Sequence, residues 1–109
     1  METLVHRDAL ARFGYALSDP TRAQILLSLR SSPGYPSDLA DTIGVSRQLV
    51  SNHLACLRGC GLVVAVPEGR RSRYELADPR IGHALGDLIG LVLAVDPACC
   101  PAAASEGCC

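Results

Sequence analysis

Ser37-Asp38-Leu39-Ala40-Asp41-Thr42-Ile43-Gly44-Val45-Ser46-Arg47-Gln48-Leu49-Val50-Ser51-Asn52-His53-Leu54 is the stretch on which the fold of this chain turns. Its spacing predicts a short helix over about Ser37 to Ile43, stopped by Gly44, a residue that accepts the left-handed backbone at helix ends. Ser46 is an N-cap type, and Leu49, Val50, His53, Leu54 and Leu57 follow at helical spacing until Gly61 closes the run. Two helices joined by a three-residue turn containing glycine give the outline of a helix-turn-helix.

Working outward toward the N-terminus, Ser31 to Pro36 is turn chemistry, and before it Ile25, Leu26 and Leu29 mark a helix that runs to about Arg30. Asp19 followed by Pro20 supplies that helix with a cap and a proline at its first position. Val5, Leu10, Phe13 and Leu17 predict a first amphipathic helix over residues 5 to 17. In the other direction Leu62 to Val66 is a β-branched run, Pro67-Glu68-Gly69 reads as a turn, and Arg71 to Leu76 alternates as an antiparallel partner. A last helix from Pro79 or Arg80 carries Ile81, Leu85, Leu88, Ile89, Val92 and Val95, with Leu91 and Leu93 making it apolar on nearly every face. The expected class is mainly α with a β-hairpin: a winged helix-turn-helix that dimerises through its N-terminal and C-terminal helices. Residues 1–95 form the DNA-binding and dimerisation domain, and residues 96–109 a flexible, cysteine-rich tail.

Length and composition agree. At 109 residues, 49% hydrophobic and 19% charged, the chain has room for one domain, and a domain this small gains from burying more apolar surface in an oligomer. Its longest apolar stretch, Leu88 to Val95 with Gly90 inside it, is far short of the roughly 20 residues of a membrane span. The N-terminus lacks the pattern of an export signal, so the expected location is the cytoplasm. Net charge is -1, yet all 10 basic residues are arginine, and Arg47, Arg58, Arg70, Arg71 and Arg73 face Glu68 alone between residues 46 and 73. Such a block inside an acidic chain suits a polyanion. Arg47 has the donor geometry for guanine, Gln48 and Asn52 for adenine, and Ser51 for base or phosphate. Arg70, Arg71 and Arg73 suit phosphates, and His53 belongs either to this face or to helix packing. The expected partner is operator DNA.

Six cysteines remain to be accounted for: Cys56 and Cys60, then the vicinal pairs Cys99-Cys100 and Cys108-Cys109. Concentrated in one helix and one tail, they do not form the spread framework that staples a fold by disulfides. Cys56 and Cys60 are four residues apart, so their Cβ atoms share a helical face about 5 to 6 Å apart, within reach of one thiophilic ion. Two donors leave such an ion short of the three or more it commonly takes, so the tail must supply the rest, and Cys99 and Cys100 are nearer than Cys108. A thiol redox or persulfide sensor without a metal uses the same residues. An enzyme lacks support: there is no CxxC, no metallohydrolase motif and no phosphate loop.

Asp19-Pro20-Thr21-Arg22 with Ile25-Leu26, Val50 to Leu54 with Leu57 and Gly61-Leu62-Val63, and Glu68-Gly69-Arg70 with Tyr74 and Leu76 resemble the ArsR/SmtB repressors across residues 8 to 95. Leu54 to Ala65, with the thiols at Cys56 and Cys60, and the ending Leu91 to Asp96 look like the CmtR-like cadmium and lead sensors within that family. This resemblance implies a homodimeric repressor that leaves DNA when metal binds, with Cd(II) or Pb(II) as inducer. It also implies a third thiolate from the partner's tail, aligned with Cys99 or Cys100. The chain departs from that pattern at Ala23-Gln24, where a cysteine is expected, and in its vicinal tail thiols, which suit As(III). Zn(II) is a further candidate, although a last-helix zinc site of this family needs more donors than His83 and Asp87. A second thiol site used by some relatives is missing from Pro36 to Asp41.

Overall fold

Asp19 organises the first corner of the molecule: its Oδ2 accepts from the Arg22 backbone N–H at 3.0 Å, and Pro20 takes the first helical position, where a missing N–H costs nothing. The computed structural model describes residues 2–94. They form α1 (Glu2–Leu17), α2 (Pro20–Ser31), α3 (Pro36–Ile43), α4 (Arg47–Gly59), β1 (Val63–Glu68), β2 (Arg71–Leu76) and α5 (Pro79–Ala94). The proposed tail, 96–109, with Cys99, Cys100, Cys108 and Cys109, lies outside the described residues.

The central turn follows the residue chemistry. Gly44 takes a φ of 83° and donates its N–H to Ala40 at 2.8 Å, ending α3. Ser46 then accepts from the Leu49 N–H at 3.1 Å and starts α4. The core sits where these helices meet: Ile25, Leu26, Val50, Leu54, Leu57 and Val63 are fully buried, with Leu29, Leu39 and Leu85 nearly so. Val50, Leu54 and Leu57 fall on one stripe of α4, so its opposite side is free for other work. Arg30 crosses α5 at Gly82, where a Cβ would come within 3.2 Å of the arginine stem. Beside it, the Arg80 side chain and backbone N–H hold the Asp78 carboxyl down to about 2.

The hairpin differs from expectation at its tip. β1 runs on through Pro67 and Glu68, which pair with Ser72 and Arg71, and the turn shrinks to Gly69-Arg70, with Gly69 at a φ of 61°. Proline fits because the two-stranded sheet leaves an outer edge on each strand, where no ladder donor is needed. The first helix begins at Glu2, a turn earlier than its apolar pattern suggested. Phe13, Ala16 and Leu17 reach the core, whereas Leu4, Val5 and Leu10 stay exposed. On α5, Leu88, Ile89, Leu91, Val92 and Leu93 are exposed, and an apolar groove of about 270 Å³ runs beside Leu27, Leu88, Ile89 and Val92. No helix among the described residues is long and apolar enough to cross a membrane.

Candidate functional site

Because Val50, Leu54 and Leu57 fix the inward side of α4, its first two turns present Arg47, Gln48, Ser51 and Asn52 to solvent. Gln48 Nε2 donates to Asn52 Oδ1 at 2.9 Å, which links the two amides as a unit and leaves the Asn52 amino group outward as a donor. His53 is turned elsewhere. Its ring is 14% exposed, with Nε2 3.5 Å from Asp19 Oδ2, a contact that becomes an ion pair when the imidazole is protonated. Of the two roles open to it from sequence, the geometry supports helix packing: it ties α4 to the start of α2. Asp19 is lowered from its usual range first by the Arg22 N–H, then by the charges of His53 and Arg22.

The three wing arginines stand in different surroundings. Arg70 is exposed in the turn. Arg71 lies over the Tyr35 ring at 3.7 Å and reaches Asp38 at 3.5 Å. Arg73 donates to Glu68 at 2.7 Å, while its Nε, shut off from solvent, lies 3.6 Å from Glu75, just outside hydrogen-bond reach. Arg73 is thus bound by carboxylates on its own hairpin rather than presented to a phosphate. The wing is fastened to the loop before α3 by Gly34 and Tyr74, which exchange backbone hydrogen bonds at 2.9 and 2.8 Å, and by the Tyr35 hydroxyl, which donates to Glu68. That bond raises the Tyr35 phenol above its ordinary value.

At the other end of α4, Cys56 and Cys60 are both half-buried free thiols close enough to hydrogen-bond to one another. Burial pushes the Cys60 thiol up, and its neighbour Cys56 adds to this, while Arg12 and Arg22 pull the other way. Both sulfurs are soft donors on one helical face, which fits a thiophilic ion, but they are two donors. Among the described residues no group of three or more His, Cys, Asp or Glu side chains is placed to hold a metal. His83 and Asp87 are exposed on α5, and Arg58 is exposed between the thiols.

Two residues stand out that their sequence context had left unremarked. Arg22 is 9% exposed and donates to the carbonyls of Ala16 at 3.1 Å and Tyr15 at 2.8 Å, closing the end of α1 onto α2. Its signal was present: it stands in the same inward stripe as Ile25, Leu26 and Leu29, where a charge needs partners. Tyr35 had no such local mark, since its partner Glu68 is 33 residues away.

Comparison with known proteins agrees with this arrangement. The model for bacterial regulatory proteins of the arsR family matches residues 19–64. The chain is 56% identical over 92 residues to the HTH-type transcriptional regulator CmtR of Mycobacterium tuberculosis, covering 84% of this chain and 78% of that protein. A probable mercury resistance operon repressor of Streptomyces lividans is 36% identical over 106 residues, covering 94% and 83%. The NMR structure of the cadmium metal-sensor CMTR from Mycobacterium tuberculosis is similar with a TM-score of 0.65 and 58% identity, covering 79% of this chain and 90% of that one. A homodimeric winged helix-turn-helix DNA-binding domain from Mycobacterium bovis gives a TM-score of 0.76 at 29% identity, covering 84% of each chain.

Proposed function

Because the chain belongs to the ArsR family of bacterial regulatory proteins, we propose that it is a cytoplasmic repressor that binds operator DNA as a metal-free homodimer and lets go when a soft ion is captured by its thiols. Cd(II) or Pb(II) is the inducer we assign, and As(III) and Zn(II) are the competing ions. One observation carries this reading. The half-buried pair Cys56 and Cys60 stands on the last turns of the same helix whose first turns present Arg47, Gln48, Ser51 and Asn52. A strain applied at one end of a 13-residue helix reaches the other, because its backbone hydrogen bonds keep it rigid. The 56% identity to CmtR and the likeness to a cadmium sensor support the choice of ion.

In this scheme Arg70 and Arg71 contact phosphates, Arg47 and Asn52 read base edges, and Cys99 or Cys100 from the tail completes the set begun by Cys56 and Cys60. A bound ion supplies fixed attraction to thiolates, and the chain's own task is to yield protons from them and to let the tail approach α4. The energy is adequate: moving an operator from 99% to 1% occupied takes about 5.5 kcal/mol of differential binding. Structural zinc-thiolate sites are worth about 10 to 16 kcal/mol, so a third to a half of that, spent on shifting α4, is enough. The exposed apolar faces of α1 and α5 support dimerisation there. The protein acts by binding, as its regulator relatives do, and not by catalysis.

The test is a titration of reduced, metal-free protein on a fluorescent copy of its own promoter with Cd(II), Pb(II), As(III) and Zn(II), following anisotropy and thiolate charge-transfer absorption together. Release in step with a rising sulfur-to-metal band is the expected result and ranks the ions. DNA binding that every ion leaves intact but peroxide or persulfide abolishes would replace metal sensing by thiol redox sensing.

A further inference from the structure

Between α3, the start of α4 and the wing lies an open cleft of about 220 Å³ whose walls include Ser37, Arg47, Arg70, Arg71 and Ser72. Three arginines and two hydroxyls from separate elements thus converge on one small space. Arg71 is the best held of them. Its guanidinium lies 3.7 Å from the centre of the Tyr35 ring, and Tyr35 is itself fixed by its hydroxyl bond to Glu68. Glu68 is anchored in turn by Arg73 at 2.7 Å, and Gly34, next to Tyr35, is clamped to Tyr74 of the wing. A guanidinium stacked flat on a ring keeps its edge N–H groups free to donate sideways and has less freedom left to lose on binding. Its one acidic neighbour, Asp38 at 3.5 Å, is mostly exposed, so that carboxylate is free to swing aside into solvent.

The chemistry that fits a small cleft rich in guanidinium and hydroxyl donors is a singly charged phosphate diester. Building on the DNA-binding reading above, we propose that this cleft seats one backbone phosphate of the operator: Arg71 and Arg47 supply charge, Ser37 a hydroxyl donor, and Tyr35 is the positioning residue that aims Arg71. The seat joins recognition helix and wing across one phosphate, so the wing's fastening to the loop before α3 sets how far apart the two elements meet DNA. Arg73 has no part in it.

The experiment measures affinity for the promoter against salt concentration, for the wild-type chain and for Arg71→Ala and Tyr35→Phe. Loss of one phosphate contact reduces the slope of log K against log salt by about 0.9, and this is expected for Arg71→Ala. Tyr35→Phe keeps every charge, so its slope stays at the wild-type value while affinity falls about three- to tenfold, the worth of one ordering hydrogen bond. A scan of neutral methylphosphonates along the site is expected to find one position that weakens the wild type and leaves Arg71→Ala unchanged. An unaltered slope in Arg71→Ala, or no such position in the scan, overturns the phosphate seat while DNA binding stands. A wild-type chain that binds no DNA overturns the underlying reading and the seat together. Inorganic phosphate at millimolar concentration should leave the Tyr35 ring signals of the DNA-free protein in place. Saturable shifts would assign the cleft to a free anion instead.

Discussion

Burial raises the Cys60 thiol, so near neutral pH the residue meets a metal in its protonated form and must give up a proton on binding. Metal affinity is therefore expected to climb with pH, by about tenfold per unit for each proton released, until the thiol titrates; competition with a chelating dye at several pH values measures this. An affinity that stays flat with pH would show that the thiols are already ionised. The same shift has a stability side with a definite sign. A raised folded value favours the neutral thiol, so its contribution is complete below the ordinary 9.0 and is lost as pH rises through the folded value. Cys56→Ser and Cys60→Ser should each retain metal-free DNA binding within about twofold and lose at least about tenfold in metal-triggered release, read by the anisotropy titration. These two residues were legible from spacing alone. His53 and Arg73 were legible only as polar residues on promising elements, because what decides their roles is a partner across space: Asp19 for one, Glu68 and Glu75 for the other.

Caps and apolar stripes are local properties, which is why α2, α3 and α4 could be read within a residue or two of their observed bounds. Ser46 is a case that can be tested: Ser46→Ala removes the acceptor of the Leu49 N–H and should cost about 0.5 to 2 kcal/mol in denaturant unfolding. Since that cap sits at the DNA-facing end of α4, operator affinity should fall with it. Leu54, fully buried on the opposite side, should cost about 2 to 5 kcal/mol as Leu54→Ala, seen as a fall in the urea midpoint. A smaller loss would mean that α1 and α5 close over the gap. The wing was less legible. Pro67 and Gly69 are both turn residues by composition, and nothing local says that the strand continues through the proline when its outer edge is unpaired. The clamp of the wing through Tyr35 lay beyond any local pattern.

Seen whole, the described chain has a polar face built by α4 and the wing, a thiol pair at the far end of α4, and apolar surface on α1 and α5. The last of these sets the most direct test of assembly. Val92 is 65% exposed in the single chain, so Val92→Glu should leave the fold intact yet bury an unpaired charge in a dimer. The expected outcome is a monomer by sedimentation and at least about tenfold weaker operator binding, since two linked half-sites give way to one. A stable dimer of normal affinity would move the interface away from α5. Pro67 has a consequence at this same scale. In a hairpin closed by Gly69-Arg70, Glu68 and Arg71 form the hydrogen-bonded pair, so the next pair, Pro67 and Ser72, turns its backbone outward. At that point β1 offers a proline ring where an incoming strand would seek an N–H. Neighbouring copies crowded along one stretch of chromosome therefore find no continuous edge through which to fuse, and each wing stays a separate finger rather than the seed of a shared sheet.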